Sequence, residues 1–106
     1  MKRLVLTDGT GRWFDADKAD KFEEETWHNG NNWISYATGS QWEHECLYRT
    51  AGGLWIKRHW SQYQGSGEFV EEITKEEAAE WLSINRFDMD SIHEEVKKQF
   101  AELEMR

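Results

Sequence analysis

The segment Glu43-His44-Glu45-Cys46, together with the later His59, holds the residue types best suited to chemistry. An imidazole and a thiol two positions apart on a strand share one face, which suits a borderline-soft metal such as zinc. With a base beside the thiol, the same pair could support nucleophilic catalysis. The pattern is incomplete for either task. No Cys-x-x-Cys or His-Glu-x-x-His spacing accompanies it. In the strand register derived below, His59 lies opposite Glu45, on the face away from His44 and Cys46. Only a one-residue slip would bring it opposite Cys46. A structural or surface role for His44, Cys46 and His59 is therefore expected, with no metal and no cofactor. Asp8-Gly9-Thr10-Gly11 has glycines of a phosphate-cradling kind but lacks the longer pattern and the following helix, and it reads as a hairpin. The many carboxylates read as a solvated face. No catalytic residue is assigned, and the chain reads as a non-enzyme.

Aromatic rings beside amides form a second candidate. Trp60, Gln62, Tyr63 and Gln64 resemble a sugar-contacting set, in which a ring stacks on a pyranose and amides bond its hydroxyls. Trp42 and Trp60 both fall where strand patterns give way to polar loops. The same residues would serve equally in a protein interface, where Tyr and Trp are frequent anchors. Seven tryptophans in 106 residues also decide whether the chain folds at all. Leu, Ile, Val and Phe together number 19, roughly 18%, and with a net charge of -8 that share borders on disorder. Each buried aromatic ring removes about 150–250 Å² from water, so a few tryptophans replace many aliphatic residues. One modest core, and thus one domain spanning 1–106, is expected.

The elements that would position these residues follow from turn chemistry and periodicity. Asp8-Gly9 between Leu4-Val5-Leu6 and Arg12-Trp13-Phe14 signals a hairpin, and Asp15 is placed to cap a short helical turn after it. Asn29-Gly30-Asn31-Asn32 is a second turn, bracketed by Trp27 and Trp33. Residues 42–50 and 54–60 read as paired strands around Ala51-Gly52-Gly53. If Thr50 faces Leu54, then Tyr48 faces Ile56, Cys46 faces Arg58 and His44 faces Trp60, with Leu47 and Trp55 on the opposite side. Phe69-Val70 and Ile73 suggest a last strand. Thr74 and Glu77 form a capping box before a helix that aligns Ala78, Trp81 and Leu82. Ser91 and Glu94 repeat the signal before the stripe Ile92, Val96, Phe100 and Leu103.

The expected architecture is α+β: an antiparallel β-meander of about five or six strands over 1–73, one packed helix near 75–85 and a C-terminal helix near 92–104. Its core should contain Leu4, Leu6, Trp13, Phe22, Ile34, Tyr48, Trp55, Ile56, Ala78, Trp81 and Leu82. Neither face of the 42–60 hairpin is purely apolar, and the C-terminal stripe needs a partner surface. Both features favour a homodimer.

Thirteen basic against 21 acidic residues argue against nucleic acid as a direct partner. Leu4-Val5-Leu6 is far too short for a signal-peptide core or a membrane span. The single cysteine forms no internal disulfide, and a reducing cytoplasmic compartment is expected.

Three groups of residues also carry a resemblance. They are Trp13-Phe14-Asp15 with Lys18-Ala19, then Glu45-x-Leu47-Tyr48-Arg49-Thr50-x-Gly52-Gly53-x-Trp55, then Thr74-x-x-Glu77-Ala78-x-x-Trp81-Leu82. In this order they resemble a group of small bacterial proteins of accessory regions, plasmids and phage that has no established activity. The likeness spans roughly residues 11–85. Relatives often carry a Gly-rich stretch after the hairpin, where this chain has Trp60-Ser61-Gln62-Tyr63-Gln64-Gly65-Ser66-Gly67. The resemblance implies a small accessory protein and no transferable site. Together these readings point to an acidic interaction, regulatory or inhibitor module, or alternatively to a small-ligand or carbohydrate-binding module using the loop 60–64.

Overall fold

A computed structural model describes residues 1–62, 67–87 and 94–105. The described chain runs β1 (Arg3–Val5), β2 (Trp13–Asp15), a 3-10 turn (Ala16–Lys18), β3 (Asp20–Glu23), β4 (Thr26–His28) and β5 (Trp33–Ser35). It continues through β6 (Glu43–Arg49), β7 (Trp55–Ser61), β8 (Phe69–Ile73), α1 (Lys75–Ile84) and α2 (Glu94–Phe100), which ends in a 3-10 turn (Ala101–Leu103). The fold is α+β with antiparallel pairing throughout. Among the described residues eight strands are divided among three sheets: a central β3-β6-β7-β8 sheet and the two hairpins β1-β2 and β4-β5.

The β6–β7 register is the one that the alternation dictates. Tyr48 pairs with Ile56, Cys46 with Arg58, His44 with Trp60, and Glu45 with His59. The turn closes because Gly53 takes a φ of +85°, which glycine adopts without steric cost. Thr50 accepts there from the Gly53 N–H (2.9 Å) and donates its own N–H to the Leu54 carbonyl (2.9 Å).

Both faces of this sheet are covered by the same chain, which explains the mixed pattern of its strands. On the first face, Leu47 and Trp55 pack with Ala78, Trp81 and Leu82 of α1 and with Val96 and Phe100 of α2. On the second, Cys46, Tyr48, Ile56 and Val70 lie under Leu6 and Phe14 of the β1–β2 hairpin. Val96 and Phe100 thus find their surface within the molecule, with Leu103 packed partly against them. The two features that argue for a homodimer are met inside one chain. Ser91 and Ile92 lie outside the described residues.

Trp13 departs from the expected core, being 47% exposed. In the β1–β2 register Leu4 pairs with Phe14 and Val5 with Trp13. Successive side chains alternate between faces, so turning Phe14 inward turns Trp13 outward. Leu4, Phe22 and Ile34 are half-buried, while the remaining expected core residues are buried.

Asp15 caps the 3-10 turn by accepting from the Asp17 N–H. Thr74 and Glu77 form the capping box of α1, with the Thr74 hydroxyl accepting from the Glu77 N–H at 3.1 Å. At the other end of α1, Arg86 takes a left-handed φ of +63°. Its N–H donates to the Ser83 carbonyl and the Phe87 N–H to the Leu82 carbonyl, the bonding pattern of a Schellman cap. The arginine stays in this unfavourable conformation with its guanidinium 4.8 Å over the Tyr36 ring. Asn85 beside it is 1% exposed. Its amide donates to the Trp81 carbonyl (2.8 Å), and its Oδ1 accepts from the Glu25 N–H (3.0 Å). It therefore ties the end of α1 to the base of the β4–β5 hairpin. Asn85→Ala is expected to cost about 1–3 kcal/mol, because it removes a buried amide that holds the Trp81 carbonyl and takes the partner from the Glu25 N–H. Urea unfolding followed by far-ultraviolet circular dichroism measures this, and a loss under about 0.5 kcal/mol would show that the tie is not structural.

Candidate functional site

The sheet separates the residues expected to do chemistry. His44 and Cys46 lie on the face under the β1–β2 hairpin, and His59, paired with Glu45, faces α1. The three side chains do not converge. Among the described residues no group of three His, Cys, Asp or Glu side chains is placed to hold a metal ion.

Each imidazole has a carboxylate instead. Glu24 approaches His44 Nδ1 at 2.5 Å, while its second oxygen accepts from the Ser35 hydroxyl (2.7 Å) and the Glu45 N–H (2.8 Å). On the other face, Glu45 meets His59 Nδ1 at 3.1 Å and accepts from the Trp81 indole N–H at 3.1 Å. His44 Nε2 is buried and has no hydrogen-bond partner among the described residues.

Glu24 is the residue that sequence reasoning missed. It sits inside Glu23-Glu24-Glu25, a run that reads as solvated surface. Local sequence carries no signal for its inward turn, because its partners Ser35 and Glu45 are 11 and 21 residues away.

The β1–β2 hairpin leaves the His44 end of its face open. A cavity of about 290 Å³ lies there, bounded by Lys21, Glu23, Glu24, Cys46, Arg58 and Trp60. Trp60 is half-buried, 5.7 Å from the His44 ring, with the Arg58 guanidinium 5.1 Å above it. Of the other expected sugar contacts, Gln62 is exposed and donates its backbone N–H to the Trp42 carbonyl (2.8 Å). Tyr63 and Gln64 lie outside the described residues. Trp42 is 42% exposed and does not line this cavity.

Burial pushes the Cys46 thiol above its ordinary range, against the opposing pull of Lys21 and Arg58. The thiol is therefore neutral at physiological pH and a poor nucleophile. Iodoacetamide should modify it far more slowly in the native protein than in urea; equal rates would contradict the burial. A thiol held above its unfolded value stabilises the fold below the ordinary 9.0 and loses that contribution as pH rises through the folded value. Tyr48, raised by burial above 10.0, acts in the same direction. Stability should thus fall on the alkaline side, less steeply in Cys46→Ala. A slope unchanged by that substitution would remove Cys46 from the account.

A second, shallower groove of about 400 Å³ lies where the β1–β2 loop meets the β6–β7 turn. Leu6, Phe14 and Ile56 form its buried part, Trp13 and Leu54 its exposed sides, and an Arg12–Glu72 pair (2.9 Å) stands at it.

The β4–β5 hairpin is the most exposed aromatic element. Trp33 is 64% and Trp27 42% exposed. Trp27 pairs with Ile34 and His28 with Trp33, so the two indoles lie on opposite faces of the ribbon. Each has an aromatic neighbour, Trp27 with Tyr36 (6.4 Å) and Trp33 with His28 (5.1 Å). Asn29 holds the tip by accepting from the N–H groups of Asn31 (3.0 Å) and Asn32 (2.9 Å). The base is braced by Asn85, by Arg86 over Tyr36, and by the Tyr36 N–H donating to the Glu25 carbonyl (3.0 Å).

No protein-family model, curated protein or solved structure matches the chain. No helix among the described residues is long and apolar enough to cross a membrane.

Proposed function

We propose that the protein is a non-enzymatic interaction module that docks on another protein through its β4–β5 arm. The observation that carries this reading is the pair of exposed indoles on a braced ribbon, in a chain otherwise short of apolar residues. Tryptophan carries a large apolar area and is enriched among the residues that anchor protein interfaces. A two-stranded hairpin is marginal alone, and the ties to α1 hold this one ready before binding, which lowers the ordering cost of association.

The partner's chemistry follows from charge. Glu23 and Glu25 are exposed at the foot of the arm, in a chain of net charge -8. An apolar recess rimmed by basic groups complements them. A different protein is favoured over a second copy, since the chain covers both faces of its own central sheet. The partner is a protein and not nucleic acid, for the same electrostatic reason. The lone buried thiol and the acidity suit a cytoplasmic setting. A regulatory or inhibitory role accords with the resemblance to accessory and mobile-element proteins.

The test is quantitative enrichment from a cell lysate on immobilised wild-type protein, on Trp27→Ser/Trp33→Ser and on Trp13→Ser. A partner retained by the wild type and by Trp13→Ser but lost with the arm variant supports the reading. Capture that ignores the arm, or none above background, overturns it.

A further inference from the structure

We infer that the β4–β5 arm is inserted into a two-walled cleft of its partner, so that the partner covers both faces of the ribbon at once. This deepens the docking reading and rests on it. Trp27 and Ile34 are paired on one face of the arm, His28 and Trp33 on the other. Both indoles are exposed, and neither belongs to either core cluster. A partner lying flat on one face would bury one indole and leave the other in water. Only a surface that closes over both sides removes both from solvent, with the gain in buried apolar area that each ring offers. The arm is already shaped for entry. Asn29 holds its tip, while Asn85 and the Arg86–Tyr36 contact brace its foot. A preformed ribbon loses little freedom when it is seated.

The distribution of charge along the arm describes the cleft. From Thr26 to Ser35 the only ionisable side chain is His28, and the carboxylates begin below it at Glu25 and Glu23, both exposed. An interior without charge, with basic groups confined to the mouth, complements that pattern. The walls are apolar where they meet the two indoles. The floor meets Asn31 and Asn32, exposed amides that give and take hydrogen bonds, and is therefore polar. The rise from Thr26 to Gly30 sets a depth of about 13 Å, and walls packed about 10 Å from each face of the ribbon stand about 20 Å apart. An arm seated this way closes the cleft to other occupants, which gives an inhibitory role a physical basis.

The experiment places benzoylphenylalanine, a photoreactive aromatic residue, at position 27, 33 or 13 in turn. Each protein is first shown to unfold at the wild-type urea midpoint. It is then irradiated in lysate of the cells that produce it, and the cross-linked peptides are mapped by mass spectrometry. Positions 27 and 33 should label the same protein in two separate segments, the two walls, and position 13 should label neither. With that protein purified, Trp27→Ser and Trp33→Ser should each weaken binding roughly thirtyfold. Labelling from one position alone, labelling from both onto the same peptide, or a loss of affinity confined to one indole shows an arm lying on a surface. Any of these overturns the cleft and leaves the docking reading standing. No labelling from either position overturns both, as does a cross-link only to a second copy of this chain.

Discussion

Trp55→Ala is expected to lower the free energy of unfolding by about 3–5 kcal/mol, the range for removing a large aromatic side chain from a core. Trp55 is 2% exposed. It stacks on Phe100 at 5.2 Å with 19° between the rings, and Phe22 lies 5.8 Å away. It is thus the contact through which β7 meets both β3 and α2. Domains of this size hold together by roughly 5–15 kcal/mol, so the loss is a large fraction of the total. The indole N–H carries its own penalty, being buried with no partner among the described residues. Trp55→Phe keeps the stack and deletes that donor, so it should cost less than about 1.5 kcal/mol. Urea unfolding of the two variants decides the matter. A phenylalanine variant as unstable as the alanine variant would show that the N–H is satisfied in solution.

The arm predicts the opposite combination of effects. Trp27→Ser/Trp33→Ser should change stability by no more than about 1 kcal/mol, since both indoles are largely outside the core and surface substitutions are mild. Binding to the partner should weaken by about 2 kcal/mol or more for each indole, so the pair should lose roughly a thousandfold. Trp13→Ser, on the β1–β2 hairpin, serves as the exposed-tryptophan control. Isothermal titration with the enriched partner measures the affinities. Rising salt should weaken wild-type binding through the screening of Glu23 and Glu25. If the double variant binds as tightly as the wild type, the arm is not the docking element.

The local devices of this fold were readable because each is closed within a few residues. The Gly53 turn sets the whole β6–β7 register, Asn29 builds its own tip, and Thr74 and Glu77 satisfy each other. The distribution of strands among three sheets was not readable, because short strands leave pairing partners to tertiary packing. Trp13 shows the same limit at one residue. Its aromatic character predicts burial, and only the pairing of Leu4 with Phe14 reveals that it must face out. The site was legible in part. His44, Cys46 and Trp60 could be named and their faces assigned by strand alternation. Glu24 could not, since its inward turn depends on a hydroxyl and an N–H brought together by folding.

The central claim is that tryptophans in this chain divide between core and docking. Indole N–H signals of nitrogen-15-labelled protein, recorded with and without the enriched partner, test it most directly. The account predicts that the Trp27 and Trp33 signals shift or broaden on binding while those of Trp55 and Trp81 stay in place. Perturbation of Trp13 or the Trp60 cavity, with the arm signals unmoved, would contradict it.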